Sequence, residues 1–231
     1  MKSENINKIS LGCFERAEGM VIVIDVIRAF TTAAFAFSCG IEKIYLVGTV
    51  KEAFDLYCKM PDSLLVGESE GHPVRGFHLS NSPSQINNVS LEVKKLIMRT
   101  SCGSQGIIKS KGADHLLACS FTNAHATLEH IRRLNPSNLT FVITNQDNGD
   151  EDLALADYLE KKLTQGNDAP ILPFLERVKK SKLGRLLQKN ASSFYPSTDL
   201  KAVLMANKFN FIMKISHVGK NFIMTNEFNK A

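Results

Sequence analysis

Short apolar, largely β-branched runs alternate with helix-period segments through the first two-thirds of this chain. That alternation restricts the fold more than any other feature. Residues 20–24 (MVIVI) read as a buried strand, with a helix expected over 32–39. The next strand is 43–47, after which Thr49 and Glu52 form a capping-box pair ahead of a helix reaching Lys59. A third strand is expected at 64–66, then a long loop from Gly67 to Asn81. Ser82-Pro83 follows as an N-cap with proline in the first helical position. Residues 96–100, 115–119 and 139–144 read as further strands, with helices near 104–111, 123–134 and 150–163. Regular alternation of this kind implies a parallel sheet covered on both faces. The expected fold class is therefore α/β: three layers, α/β/α, around a mainly parallel sheet.

A chain of 231 residues can bury a sizeable core, and we read 1–231 as a single α/β domain. The composition shifts over 164–168 (TQGND), so a subdivision, if present, falls near 165. Beyond it Lys179, Lys180, Lys182, Arg185 and Lys189 lie close together, which reads as a solvated helix face rather than an anion-binding patch. A helix at 202–206 and a strand at 209–215 indicate that the tail folds with the rest.

The charge pattern narrows the classes of function. A net charge of +5 fits an anionic ligand but not the dense basic stripe of a nucleic-acid binder. The longest apolar stretches, 20–24 and 33–37, are too short to span a bilayer, and the N-terminus carries no apolar signal segment. The five cysteines, Cys13, Cys39, Cys58, Cys102 and Cys119, include no CxxC pair, which points to a reducing compartment. A cytoplasmic location is expected. The six histidines show neither HxxxH nor HxH spacing, so no zinc site is expected.

In an open α/β sheet, ligands bind beyond the carboxyl ends of the strands. Polar clusters follow several of the expected strands: Asp25, Arg28, Thr31 and Thr32; Gly67, Glu68 and Ser69; Ser101, Gly103 and Ser104; Ser120, Thr122 and Asn123; and residues 145–152. A guanidinium such as Arg28 can grip an oxyanion bidentately, and the amides opening the next helix, with Thr31 and Thr32, can hold the same group. Asp25, Glu68, Glu151 and Asp152 are hard oxygen ligands suited to Mg²⁺. Each of these residues also has a plainer explanation. Asp25 could cap a neighbouring helix or pair with Arg28, and Glu151-Asp152 opens a helix, where acids favour the macrodipole. Cys102 has no paired base in view and reads as a small residue rather than a nucleophile.

The order of these motifs resembles the 2-phosphosulfolactate phosphatases. Their D-V-L-R-A-T-T segment is matched by Asp25-Val26-Ile27-Arg28-Ala29-Phe30-Thr31-Thr32. Gly67-Glu68 leads to Gly76-Phe77-His78-Leu79-Ser80-Asn81-Ser82-Pro83, similar to their G-E and G-F-D-L-G-N-S-P. Cys119-Ser120-Phe121-Thr122-Asn123-Ala124 resembles G-S-F-x-N-A, and Glu151-Asp152 matches a final E-D before a helix. The chain departs from the family at His78, which replaces an acid, at 99–104, which replaces a T-T-N-G-T turn, and at 144–146. An alternative phosphatase motif, D-x-D, would need an acid at position 27, which is Ile27.

The resemblance implies a Mg²⁺-dependent phosphomonoesterase converting 2-phospho-3-sulfolactate to 3-sulfolactate. Asp25, Glu68 and Glu151 are the expected catalytic residues, and these three with Asp152 the expected metal ligands. Substrate-binding roles are expected for Arg28, Thr31, Thr32, Asn81, Ser82, Ser101, Ser104 and Asn123. Which carboxylate is the base, and whether Asp25 is a covalent nucleophile, is left open at this level. The expected partner is a small anionic phosphate, with neither nucleic acid nor membrane; a homodimer is compatible with the sequence. The altered residues at His78 and 99–104 support a second reading, a diverged, non-catalytic binder of an anionic metabolite or partner.

Overall fold

A computed structural model of the chain describes residues 2–10, 12, 17–88, 92–145, 150–166 and 169–229. In chain order its strands are β1 (Ile6–Ser10), β2 (Met20–Ile24), β3 (Lys43–Leu46), β4 (Ser63–Ser69), β5 (His72–Pro73), β6 (Leu79–Ser80), β7 (Lys95–Arg99), β8 (His115–Cys119), β9 (Leu139–Ile143), β10 (Phe211–Val218) and β11 (Asn221–Phe228). The helices are α1 (Ala29–Ser38), α2 (Val50–Tyr57), α3 (Pro83–Asn87), α4 (Gly103–Lys109), α5 (Ala124–Leu134), α6 (Asp150–Gln165), α7 (Leu172–Lys180), α8 (Lys182–Gln188) and α9 (Ser197–Val203).

The fold is mixed α/β, with a large and mostly parallel sheet flanked by helices. Strand order is β1-β9-β2-β8-β10-β11-β3-β7-β4-β5, with β6 beside β4. Two blocks are internally parallel: β1-β9-β2-β8, and β3-β7-β4 with β6. The β10–β11 hairpin joins them through antiparallel pairings on both sides. A C-terminal hairpin thus lies in the middle of the sheet, and Phe211, Met213, Phe222 and Met224 enter its core.

Burial explains the layering. Both β2 (MVIVI) and β9 (LTFVI) are buried along their whole length, as expected of strands covered on two faces. Helix α1 (AFTTAAFAFS) is buried from Ala29 to Phe37, so it has no solvated face. One core unites α1 with Val21, Val23 and Ala118 from the first block and with Ile44, Leu96 and Met98 from the second. On the outer face of the first block, Ile22, Ile24 and Phe141 pack with Leu128 of α5 and Leu155 and Leu159 of α6. On the outer face of the second, Leu65 and Ile97 pack with Ala53 of α2. The shared helix α1 is what draws the strand ends of both blocks together.

Local chemistry sets several boundaries as expected. Thr49 and Glu52 form the capping box of α2, and Ser82 caps α3 with Pro83 at its start. The long loop expected from Gly67 is partly strand: β4 runs through Glu68 to Ser69, and Glu70 and Gly71 turn it into β5 with φ of 54° and 80°. Two successive residues with positive φ suit a tight hairpin. The N-terminal β1 was not foreseen; the solvated helix face expected around Lys179–Lys189 is divided between α7 and α8. Strand β1 (INKIS) is a half-exposed edge whose polar alternation gives little strand signal. Residues 146–149 and 167–168, within the expected polar loop and composition break, lie outside the described residues, as does Cys13.

Candidate active site

The ends of β2, β4, β7 and β9 surround a cavity of about 270 Å³ lined by Asp25, Arg28, Glu68, Asn81, Ser101, Cys102, Asn145, Asp152, Lys182 and Tyr195, among others. Drug-sized ligands occupy roughly 300–1,000 Å³, so this space suits a small metabolite.

Asp25 follows β2 directly. Its Oδ1 accepts a hydrogen bond from the Ala29 amide at 3.0 Å, so it does cap α1. It does not pair with Arg28. Burial and the nearby charges of Glu68 and Glu151 outweigh the amides of Ala29 and Gly103, and its carboxyl is pushed up to about 7. A Cβ on Gly103 would stand 2.8 Å from Asp25 Oδ2 and 2.8 Å from the Ala29 Cβ, so only glycine lets α4 approach this closely.

Glu68 lies within β4. Its Oε1 accepts from the Ser101 amide, and its Oε2 from the Gly71 amide at 2.6 Å and the Ser101 hydroxyl at 3.2 Å. Gly67 beside it has φ of 140°, and a Cβ there would fall 1.9 Å from the Arg99 carbonyl oxygen on the paired strand. Gly67 thus lets β4 lie close against β7, and Gly103 lets α4 lie close against Asp25 and the start of α1.

Asp152, in the first turn of α6, ties the last motif to the first. Its Oδ1 accepts from the Val26 amide at 2.7 Å, and its Oδ2 from the Thr144 hydroxyl and Asn145 amide, each at 3.2 Å. Burial, then the charges of Asp25 and Glu151, raises its pKa well above the ordinary carboxylate value. Glu151 sits behind the lining: Oε1 accepts from Asn145 Nδ2 at 2.8 Å, and the buried Oε2 has no hydrogen-bond partner. Burial raises its pKa too.

Arg28 is 5% exposed yet lines the cavity. Its Nη1 donates to Asp199 Oδ2 and to the Phe194 carbonyl, each at 2.7 Å, and its Cζ lies 5.0 Å from the centre of the Tyr195 ring. Asn81 is also buried against the cavity, with Oδ1 unpartnered. Ser101 lines the cavity and supports Glu68. Ser82, by contrast, donates to Asp199 at 2.8 Å.

Besides Ser82, which is not in the lining, four expected substrate contacts point elsewhere. The Thr31 hydroxyl donates to the Val26 carbonyl, and Thr32 is fully buried. Ser104 is bonded to Thr100, and Asn123 caps the turn at Ser120. None of the four is among the cavity-lining residues. The amides opening α1 are spent locally: Ala29 and Phe30 donate to Asp25, and Thr32 to the Arg28 carbonyl. A hydroxyl that completes a helix cap and one that holds a ligand look alike in sequence. Sequence reading named Asn145 only within the polar stretch 145–152, and gave no site role to Gly71, Tyr195 and Lys182, which line the cavity, or to Asp199 behind Arg28. Asp199 lies in the first turn of α9, which runs Ser197–Val203, earlier than the 202–206 helix expected from sequence.

Cys102 lines the cavity, but burial and the Asp25 and Glu68 charges push its thiol up to about 12, which disfavours a thiolate nucleophile. Among the described residues no three His, Cys, Asp or Glu side chains already converge as a metal cluster. The donor set nonetheless suits a hard cation: anionic oxygens with raised pKa values, plus unpartnered Glu151 Oε2 and Asn81 Oδ1. Mg²⁺ commonly takes one or two carboxylates, with water and substrate oxygens completing its shell.

Two family departures fall away from the reactive groups or preserve their support. His78 Nδ1 accepts from the Leu65 amide at 2.9 Å, and its ring packs on Tyr57, outside this cavity. The 99–104 turn supplies Ser101 to Glu68 and the amide of Gly103 to Asp25. No helix among the described residues is long and apolar enough to cross a membrane.

Residues 10–217 match the family model described as 2-phosphosulpholactate phosphatase. A probable 2-phosphosulfolactate phosphatase of Bacillus subtilis is 32% identical over 200 residues, covering 86% of this chain and 88% of the relative. One of the same description from Carboxydothermus hydrogenoformans is 42% identical over 115 residues, or 50% of this chain and 48% of its own. Another from Thermotoga maritima is 31% identical over 146 residues, 63% of each.

Proposed function

The chain belongs to the 2-phosphosulfolactate phosphatase family, and on that premise we propose that it is a Mg²⁺-dependent phosphomonoesterase acting on a small anionic organic phosphate. The preferred substrate in this reading is 2-phospho-3-sulfolactate, cleaved to 3-sulfolactate and phosphate. The observation that carries it is the grouping of Asp25, Glu68 and Asp152 with Arg28 in the lining of one small cavity.

Hydrolysis forms a bond from water oxygen to phosphorus and breaks the bond from phosphorus to the C2 oxygen, which must leave with a proton. Asp25, at the end of β2 among the carboxylates lining the cavity, is the proposed proton-transfer residue. It would take a proton from the attacking water or return one to the departing oxygen. Nη1 of Arg28 is engaged by Asp199 and Phe194; Nε and Nη2 are the groups proposed to hold an oxyanion. Glu68, Asp152 and Glu151, with Asp25, are the proposed metal ligands. When bound, Mg²⁺ would polarise the phosphoryl group and offset charge developing on it.

The test is phosphate release from 2-phospho-3-sulfolactate and from a panel of other phosphomonoesters, with chelator and with added Mg²⁺. Release that chelation abolishes and Mg²⁺ restores is expected. No release from any ester at saturating Mg²⁺ would sink the proposal and favour a non-catalytic binder.

A further inference from the structure

Asp199 is fully buried, and both of its carboxylate oxygens are occupied by donors from distant parts of the chain. Oδ2 accepts from Arg28 Nη1 at 2.7 Å. Oδ1 accepts from the Ser82 hydroxyl at 2.8 Å, the Ser84 amide at 3.0 Å and the Ser84 hydroxyl at 2.6 Å. Thr198 adds a further bond, its hydroxyl donating to Ser84 Oγ at 2.9 Å. The start of α9 is therefore fastened to the start of α3 and to the turn after β2.

The same C-terminal segment meets Arg28 at other points. The Phe194 carbonyl accepts from Nη1, and the Tyr195 ring lies beside the guanidinium. Tyr195 in turn donates through its hydroxyl to the Gly71 carbonyl at 3.3 Å, and the Gly71 amide donates to Glu68. One guanidinium nitrogen is thus pinned by a carboxylate and a carbonyl, while the group as a whole still lines the cavity. A long, flexible side chain aimed this way loses less rotamer freedom when a ligand arrives.

We infer that Asp199 is the positioning residue for Arg28: it sets the orientation in which the guanidinium meets a substrate oxyanion, without touching substrate itself. This rests on Arg28 binding an oxyanion, as proposed above, but not on turnover. If Asp199 acts through Arg28, its removal matters only while Arg28 is present. A carboxylate that merely holds α9 in place would act in both backgrounds equally.

The experiment is a double-mutant cycle of Asp199→Asn and Arg28→Gln. Inorganic phosphate binding is measured by calorimetry in the presence of Mg²⁺, and steady-state kinetics on 2-phospho-3-sulfolactate run in parallel. Asp199→Asn is expected to weaken phosphate binding and raise KM by about 10-fold, with kcat changed less than about 3-fold. In the Arg28→Gln background the same substitution should change binding by less than about 2-fold. Equal losses in the two backgrounds, or a loss in kcat with KM unchanged, would overturn the inference. So would wild-type protein that binds no phosphate. Binding with no turnover would defeat the phosphatase reading alone, since the binding cycle would still decide the role of Asp199. Should thermal melting show Asp199→Asn unfolded, Ser84→Ala serves in its place, because it loosens the carboxylate without removing a charge. It should raise KM by about 3-fold, again only when Arg28 is present.

Discussion

The two walls of the cavity carry their charges in opposite ways. On the acidic wall Asp25, Glu68 and Asp152 are held by backbone amides and hydroxyls, with Glu151 behind them. Burial raises the pKa of Asp25, Asp152 and Glu151, so this group holds protons that a bound cation would displace. On the basic side of the lining Arg28 is paired with Asp199, a carboxylate that is itself saturated with donors. Amides fix a carboxylate while leaving its charge to attract a cation, whereas a carboxylate beside Arg28 fixes it at the expense of part of its field. The first wall is therefore built to recruit charge and the second to present geometry.

The sharpest way to break that contrast is Asp25→Asn. If Asp25 moves a proton, kcat should fall by roughly 10²–10⁴-fold. The same substitution should raise the melting temperature at pH 8 in chelator, since it deletes an uncompensated buried charge. Lost activity together with lost stability would mean that Asp25 is chiefly a structural cap of α1.

Titration tests the same wall in the unmodified protein. The Asp25 pKa is raised from 3.8 to about 7 on folding, so the native state binds more protons between those values. Stability in chelator should fall as pH rises from about 4 to about 7, by at most about 4 kcal/mol from this group. Below the unfolded value this cost is absent, and above about 7 it is complete. Added Mg²⁺ should raise the melting temperature more at pH 8 than at pH 5. A melting temperature indifferent to pH over that interval would show that the Asp25 carboxyl is not raised by its burial.

Arg28→Ala should raise KM for a phosphomonoester by about 10–100-fold, and Arg28→Lys by less, because lysine offers a point charge without the planar fork. The pairing with Asp199 revises one simple expectation, that Arg28→Ala would leave the fold undisturbed. It strands a buried carboxylate that keeps its serine donors, so a loss of about 1–3 kcal/mol in denaturant unfolding should accompany it. Equal KM values for Ala and Lys would show that the fork geometry is unused.

The smallest effect is expected at Lys182, which lines the cavity from an exposed position at the start of α8. Lys182→Ala should raise KM by about 2–5-fold at low salt, and the difference should shrink as ionic strength rises. A salt-independent loss would instead make Lys182 a direct, desolvated contact.

By itself the sequence determined the strand–helix alternation, because periodicity and β-branched runs are local properties. Strands β2 and β8 fall where their apolar runs end, and the Thr49 and Ser82 caps follow from side chains three residues from their targets. Asp25, Glu68, Glu151 and Asp152 were legible for a related reason: each ends a strand or opens a helix, where charge is conspicuous against an apolar run. Only the tertiary structure decided where the hydroxyls go. Thr31 and Ser104 turn to their own backbone or to near neighbours, and Asn123 to the Ser120 turn, choices with nearly the same sequence signature as ligand binding. Asp199 stands 171 residues from Arg28, and the central β10–β11 hairpin comes from the far end of the chain. A strand at 209–215 was legible, but neither its central place in the sheet nor the Arg28–Asp199 pair was, because pairings at such separation depend on how the completed sheet closes around α1.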